Sequence, residues 1–320
     1  MSQNPLFKIP NSEFQKIKKF SNLIKIPKSN VLITGGTGFI GKWITEAINN
    51  INNVDKIYLI SRNKTKFLKE NKNVLNSKKI IILECDLSKN INNLRLNKNI
   101  KYIFHLACSA NLNKNANSKY FHNLNYYSTK NIIKIAKVNN TKKIFFSSSG
   151  AAYLSNFNDK NFYGTGKLIS ENLLISDNII SNKTVIARMY NYFGPLQPIE
   201  SNYAICNFFH NIINNKDIVI KGDGNNFRNF MYILDLIRII LKITFTKNNE
   251  SLFTDIVSKN HISIKDLAFK MKRITKSRSK IEILNNINSL DYIPVSKHKT
   301  IIKENNFDRS ILTTFNYYNN

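Results

Sequence analysis

Short apolar runs rich in β-branched residues recur along the first two thirds of the chain, and between them the apolar positions take helical spacing. Val31-Leu32-Ile33 is the first run and leads, past a glycine-rich turn, into a helical pattern over Lys42 to Ile48. Lys56 to Ile60, Ile80 to Leu83, Tyr102 to Ala107 and Lys143 to Phe146 follow as further strands, with the clearest helical pattern between them at Asn125 to Val138. Strands alternating with helices predict parallel pairing through right-handed crossovers, hence an α/β fold with a doubly wound parallel sheet. In such a sheet ligands bind at the carboxyl ends of the strands. After Gly194-Pro195 the pattern changes to longer helices with short strands, which predicts a smaller second lobe, mostly C-terminal. The expected divisions are an extension over 1–29, a sheet domain over 30–192, and the lobe over 193–320, with an interleaved boundary. Within the extension, Ser12 to Phe20 reads as a short helix packed on the core. Phe230 to Phe245 is the longest apolar stretch, but it carries Asp235, Arg238 and Lys242, so it reads as a buried or amphipathic helix rather than a membrane span.

The turn after the first strand is Thr34 to Gly41, TGGTGFIG. Its glycines have separable tasks. Gly35 permits the turn, Gly38 lets the backbone approach a pyrophosphate without a Cβ in the way, and Gly41 lets the helix pack closely. Amides at the start of the helix can then bind the anion. The second strand ends in Ser61-Arg62, where a site preferring NAD usually places Asp or Glu. A guanidinium suits a 2′-phosphate, so these residues lean toward NADP; the alternative is an Arg lying over the adenine of NAD.

Composition narrows the partners. With 320 residues the chain can bury a full core. The segment before residue 30 has no continuous apolar core of the kind a secretory signal needs, and a cytoplasmic protein without membrane insertion is expected. Three cysteines, Cys85, Cys108 and Cys206, lack metal-type spacing and read as reduced thiols; the five histidines are scattered, and no metal site is expected. The net charge of +28 comes from lysines spread along the chain among many asparagines and isoleucines. That distribution predicts a generally basic surface and non-specific polyanion binding, not a specific nucleic-acid site.

The fifth strand ends in Ser147-Ser148-Ser149, and Tyr163 and Lys167 follow at i, i+4, which puts phenol and ammonium on one helix face. A phenol ordinarily titrates near ~10, so a tyrosine base at neutral pH needs roughly 4 kcal/mol of help. One positive charge about 4 Å away at an effective dielectric of ~20 supplies an interaction of that order. Lys167, together with an oxidised nicotinamide, can therefore make Tyr163 a usable base.

Taken together, these motifs resemble the extended short-chain dehydrogenases/reductases of the NAD(P)-dependent nucleotide-sugar epimerase/dehydratase type, over about residues 30 to 270. The resemblance implies a Rossmann-type fold. It implies that Gly35, Thr37, Gly38, Phe39, Ile40 and Gly41 form the cofactor loop, that Ser61, Arg62, Asp86 and Leu87 meet the adenosine, and that Leu106 and Ala107, within HLAC, run beside the cofactor ribose. Ser149, Tyr163 and Lys167 match the catalytic triad, with Tyr163 and Lys167 also touching the cofactor. Arg188 to Pro195 is similar to the family's RxxNxYGP, and Gly222-Asp223-Gly224 with Arg228, Phe230 and Asp235 to its GDGxxxRxFxxxxD. Asn191, Arg228 and Ser149 are the substrate-binding candidates, Arg228 presenting a planar fork to a diphosphate; Asp235 reads as a structural acceptor.

Two departures bear on the chemistry. Gly150-Ala151 stands where water-eliminating relatives carry acidic residues, which disfavours dehydration for want of a proton donor. The connection from Ser149 to Tyr163 is also short, which leaves substrate range open. The expected activity is epimerisation of a nucleotide-linked hexose through a keto sugar, at carbon 4. The alternatives are NADPH-dependent reduction of a keto-deoxy nucleotide sugar, or a non-catalytic scaffold or RNA-binding protein. A homodimer, built from the helix of Asn125 to Val138 and the one starting near Tyr163, is implied by the resemblance.

Overall fold

A computed structural model describes residues 4–91, 94, 96, 99–107, 118–154, 162–201, 203–246, 251–284 and 302–319. Its elements run α1 (Asn11–Asn22), β1 (Ser29–Thr34), α2 (Phe39–Asn49), β2 (Val54–Ser61), α3 (Lys64–Glu70), β3 (Ile80–Glu84), β4 (Ile100–His105), α4 (Ser118–Val138), β5 (Lys143–Ser149), α5 (Gly150–Leu154), α6 (Phe162–Ser176) and β6 (Thr184–Met189). Then come β7 (Asn191–Phe193), α7 (Ala204–Ile213), β8 (Ile218–Ile220), β9 (Phe227–Tyr232), α8 (Ile233–Phe245), β10 (Leu252–Ile256), β11 (His261–Ser263), α9 (Ile264–Thr275), β12 (Ile281–Ile283) and α10 (Phe307–Asn319).

The chain divides into two compact units: Met1–Met189 with Ile237–Asp255, and Tyr190–Leu236 with Ile256–Asn320. The first is built on a seven-stranded sheet of order β10-β6-β5-β4-β1-β2-β3. From β3 to β6 every neighbouring pair is parallel, as the alternation of strand and helix signals predicts. Helices cover both faces, so β1 is buried along its whole length and its centre, Val31-Leu32-Ile33, is a continuous apolar run rather than an alternating one. Strand order reverses between β1 and β4, and there Thr34 pairs with His105. The crevice of a doubly wound sheet opens beyond such a reversal.

The second unit holds a three-stranded sheet, β11-β9-β7, and a two-stranded one, β12-β8. The stretch Phe230 to Phe245, expected as one helix, divides after Tyr232. Its first three residues finish β9, where Phe230, Met231 and Tyr232 pair with Asn191, Tyr192 and Phe193. Because β9 is the central strand, β7 and β11 satisfy its backbone on both edges, and that outweighs local helical spacing. The short N-terminal helix is present as α1 with Phe14 and Ile17 buried, and the segment before it buries Leu6, Phe7 and Ile9.

Candidate active site

The glycine turn is assembled against the end of β4. Leu106 N donates to Thr34 O at 3.2 Å and Ala107 N to Thr34 Oγ1 at 3.1 Å, which lays Leu106-Ala107 over Gly35. Gly35 sits at φ +70, and a Cβ there would fall 2.8 Å from Ala107 N. Both the backbone angle and the close approach require glycine. Gly41 is fixed by space alone, since its Cβ would stand 2.1 Å from Gly35 O and 2.6 Å from Gly36 Cα. Gly38 is different. It is extended at φ −83, and a Cβ there would meet only Gly35 O, at an ordinary 3.4 Å. Nothing among the described residues requires glycine at this position, whereas a ligand approaching the backbone would. Gly38 is also the N-cap of α2 and provides no side-chain cap, so the first amides of the helix have no side-chain acceptor there. Thr37, Phe39 and Ile40 are half-buried around it. The turn therefore fits a dinucleotide by the chemistry of its donors and by the cradle a Cβ would fill.

At the next strand ends, Ser61 is buried and its Oγ accepts from Asn63 N at 3.2 Å, while Arg62 is exposed. Asp86 accepts from Ser88 N at 3.0 Å and Ser88 Oγ at 2.7 Å. Burial pushes its carboxyl up, but the Ser88 hydrogen bonds and the charges of Lys89 and Arg62 hold it below the usual carboxylate range. The Leu87 side chain is in the hydrophobic core and its carbonyl accepts from Asn131 Nδ2 at 2.9 Å, so this residue offers a ligand only its N–H. Cys85 is half-buried and Cys206 buried, both as free thiols, and burial pushes Cys206 up to about 11. Cys108 lies outside the described residues.

Ser149 closes β5, and its Oγ accepts from Ala151 N at 3.2 Å. On α6 Tyr163 is half-buried, whereas Lys167 is 2 % exposed. The Lys167 ammonium donates to Ser147 O and sits 4.9 Å from the centre of the Phe146 ring, so β5 supplies a carbonyl and a ring face to the buried cation. Residues 155–161 of the short Ser149–Tyr163 connection lie outside the described residues.

Two features of this unit escape sequence reasoning. Glu171, 1 % exposed and one turn beyond Lys167, forms a bidentate pair with Arg188: Nε to Oε1 at 2.9 Å and Nη2 to Oε2 at 2.6 Å. Ser148 Oγ donates to the same carboxylate. α6 is thus tied to β5 and β6 beside Ser149. The i, i+4, i+8 spacing of Tyr163, Lys167 and Glu171 is the signal that could have found it. The second is His105, buried at the end of β4 between Thr34 Oγ1 (2.9 Å from Nδ1) and Thr129 Oγ1 (3.3 Å from Nε2). Burial, and then the Lys167 charge, push its pKa down to about 3, so its ring is neutral.

In the second unit, Asn191 and Arg228 line one cavity of about 260 Å³ together with Tyr190, Tyr192 and Tyr203. Register explains the meeting: Asn191 pairs with Phe230, and Arg228 lies two residues along the same face of β9. Ala204 and Ile205, at the start of α7, also line it, and Tyr203, the N-cap, provides no side-chain cap. A guanidinium, an amide and an uncapped helix start make a site for an anion. Asp235 is buried and accepts from Asn305 N at 2.8 Å and Nδ2 at 2.6 Å, a structural role as expected.

The sequence model of the NAD dependent epimerase/dehydratase family matches residues 31–252. The chain belongs to this family. It is 29% identical over 236 residues to a protein of Methanocaldococcus jannaschii provisionally named a UDP-glucose 4-epimerase, covering 68% of this chain and 74% of that one. It is likewise 29% identical over 265 residues to the dTDP-4-dehydro-6-deoxyglucose reductase of Escherichia coli, covering 75% and 80%. In fold it is similar to the UDP-N-acetylglucosamine 4-epimerase of Methanobrevibacter ruminantium M1, solved with UDP-N-acetylmuramic acid. That likeness has a TM-score of 0.76 at 24% identity and covers 92% of this chain and 99% of the other. The expected family, the Rossmann-type sheet, the enzymatic nature and the nicotinamide dinucleotide are thereby shown. Among the described residues no helix is long and apolar enough to cross a membrane.

Proposed function

We propose that this family member is a nucleotide-sugar epimerase that inverts carbon 4 of the sugar through a keto intermediate, with NAD as cofactor. What carries the reading is that a dinucleotide turn, with a glycine that none of the described residues requires, shares a unit with a buried lysine one turn from a tyrosine. Gly35, Thr37, Gly38, Phe39, Ile40 and Gly41 would hold the pyrophosphate, Ser61, Arg62, Asp86 and the Leu87 amide the adenosine, and Leu106 and Ala107 the ribose side. When bound, the dinucleotide supplies a reversible two-electron acceptor for a sugar alcohol. Tyr163 takes the hydroxyl proton and returns it, while the Lys167 ammonium stabilises the phenolate. Ser149 accepts from Ala151 N, which leaves its own O–H to donate to the reacting oxygen. Arg228, Asn191 and the start of α7 bind the diphosphate of the substrate.

Arg62 bears on the cofactor. Its charge is the last of the influences that hold the Asp86 carboxyl below the usual range, so the surroundings of Arg62 include a carboxylate, which would disfavour a 2′-phosphate. This supports NAD, with Arg62 against the adenine. The NADPH-dependent reductase remains the second reading, favoured by the absence of an acid at Ser61-Arg62. A homodimer through α4 and α6 is supported by exposed Tyr127 and Val138 on the first and Ile175 on the second, and light scattering of the purified chain tests it.

The experiment is to denature the purified protein and identify the released dinucleotide by mass spectrometry. NAD is expected. NADP would favour the reductase, and failure to bind either dinucleotide on titration would overturn both readings.

A further inference from the structure

Thr34, His105, Thr129 and Ser170 come from β1, β4, α4 and α6, far apart in sequence, and none exceeds 1 % exposure. Leaving a donor unpaired at such depth is costly, so each donor should find an acceptor among its neighbours. The bonds run Ala107 N to Thr34 Oγ1 (3.1 Å), Thr34 Oγ1 to His105 Nδ1 (2.9 Å), His105 Nε2 to Thr129 Oγ1 (3.3 Å) and Thr129 Oγ1 to Ser170 Oγ (2.8 Å). Both ends are polarised by groups that cannot change role. An amide N–H can only donate, so Thr34 Oγ1 accepts from Ala107. At the other end, among the described residues, Ser170 Oγ has only carbonyls beyond it, Gly166 O at 3.4 Å and Asn125 O at 3.5 Å, so its proton goes outward. Ser170 must then accept from Thr129, Thr129 from His105 Nε2–H, and His105 Nδ1 from the Thr34 hydroxyl. Only this sense satisfies every group, and it fixes the histidine as the Nε2–H tautomer.

The chain joins two places that must keep register. At one end is the Leu106-Ala107 segment lying over Gly35, and at the other is α6, three residues beyond Lys167. A second tie runs the same way, with Lys167 donating to Ser147 O and Ser147 Oγ donating to His105 O at 3.4 Å. We infer that His105 and Thr129 are positioning residues that hold the Tyr163–Lys167 face of α6 in register with the glycine turn, through a one-way chain of buried hydrogen bonds. The inference rests on the proposed reaction for its kinetic consequence but not for its spectroscopic one.

The test uses Thr129→Val, which keeps the shape and removes the hydroxyl, with Thr129→Ser, which restores it. In ¹⁵N-histidine-labelled wild-type protein, the His105 ring, assigned by its loss in His105→Gln, should be the Nε2–H tautomer at neutral pH. An Nδ1–H ring would overturn the inference whatever the enzyme does. With substrate, Thr129→Val should lower kcat about ten- to a hundredfold, since displacing a reacting group by an ångström costs that much. KM should stay within about twofold, and the acid limb of the kcat–pH profile should move up as Lys167 loses its place beside Tyr163. Thr129→Ser should recover kcat to within about threefold. Wild-type kcat and profile in Thr129→Val, or equal damage in both variants, would refute it. If the tautomer is as stated and the wild type turns over no nucleotide sugar, the reaction is wrong and the chain of bonds stands.

Discussion

Gly38 and Gly41 stand three residues apart in one turn, and the structure assigns them opposite dependencies. At Gly41 an added Cβ would lie 2.1 Å from Gly35 O and 2.6 Å from Gly36 Cα, contacts with backbone that cannot rotate away. Gly41→Ala should therefore displace the turn and cost about 1–3 kcal/mol of stability, the usual toll of overpacking. At Gly38 the same methyl meets one carbonyl at 3.4 Å on an extended backbone that any residue adopts. Its effect on the free protein should stay within about 1 kcal/mol, because the lower unfolded-state entropy of alanine and its poorer N-cap preference oppose each other. The methyl does occupy the approach to the α2 amides. Losing one amide-to-phosphate hydrogen bond costs about 1.5–3 kcal/mol, or roughly ten- to 150-fold in Kd. Thermal melting and calorimetric titration with NAD should separate the two variants: Gly38→Ala melts like the wild type and binds weakly, while Gly41→Ala melts early. A Gly38→Ala protein with wild-type affinity, or one as unstable as Gly41→Ala, would show that the turn does not hold a dinucleotide as argued.

Other outcomes follow from buried groups. Glu171→Gln leaves the half-buried Arg188 guanidinium short of its counter-charge and should cost about 3 kcal/mol in urea unfolding, whereas Glu171→Leu with Arg188→Met should recover most of it. Glu46 on α2 accepts from Leu6 N at 2.7 Å, anchoring the N-terminal segment; burial pushes its carboxyl from the ordinary 4.5 up to about 7, with the Leu6, Phe7 and Asn50 hydrogen bonds opposing. A carboxyl raised on folding contributes stability that is full below the unfolded value and lost as pH rises through the folded one. Stability should thus fall by about 3 kcal/mol between pH 4 and 7, and Glu46→Gln should flatten that slope in a pH series of melts. Tyr163→Phe should lower kcat about 10²–10⁴-fold, with dinucleotide affinity, read by titration, little changed.

The glycine turn was legible because strand, turn and helix are adjacent in sequence, with Gly35 marked by its backbone angle and Gly41 by a close approach within the motif. The parallel sheet was legible for a related reason, since a strand buried on both faces carries a continuous apolar run, as Val31-Leu32-Ile33 and Ile144-Phe145-Phe146 do. The end of β9 was not, because what makes Phe230 to Tyr232 a strand is pairing with Asn191 to Phe193, almost forty residues away. Leu87 was expected to meet the adenosine, and that its side chain fills the core and leaves only its N–H to offer is a matter of which way one side chain turns after β3. The spacing that puts Glu171 on the face of Tyr163 and Lys167 does not name its partner: the Glu171–Arg188 pair depends on α6 lying against β6, and the path from Thr34 to Ser170 on α4 and α6 lying beside β4.

The central claim, that Tyr163 moves only a hydroxyl proton while carbon 4 is inverted, is tested most directly with UDP-glucose deuterated at carbon 4. The protein is supplied with NAD in ordinary water and the sugar is followed by NMR. The account predicts the carbon 4 epimer with its deuterium retained, because the hydrogen on carbon never passes to the tyrosine, and no such product in Tyr163→Phe. Epimer whose carbon 4 carries solvent hydrogen, or undiminished turnover in Tyr163→Phe, would contradict it.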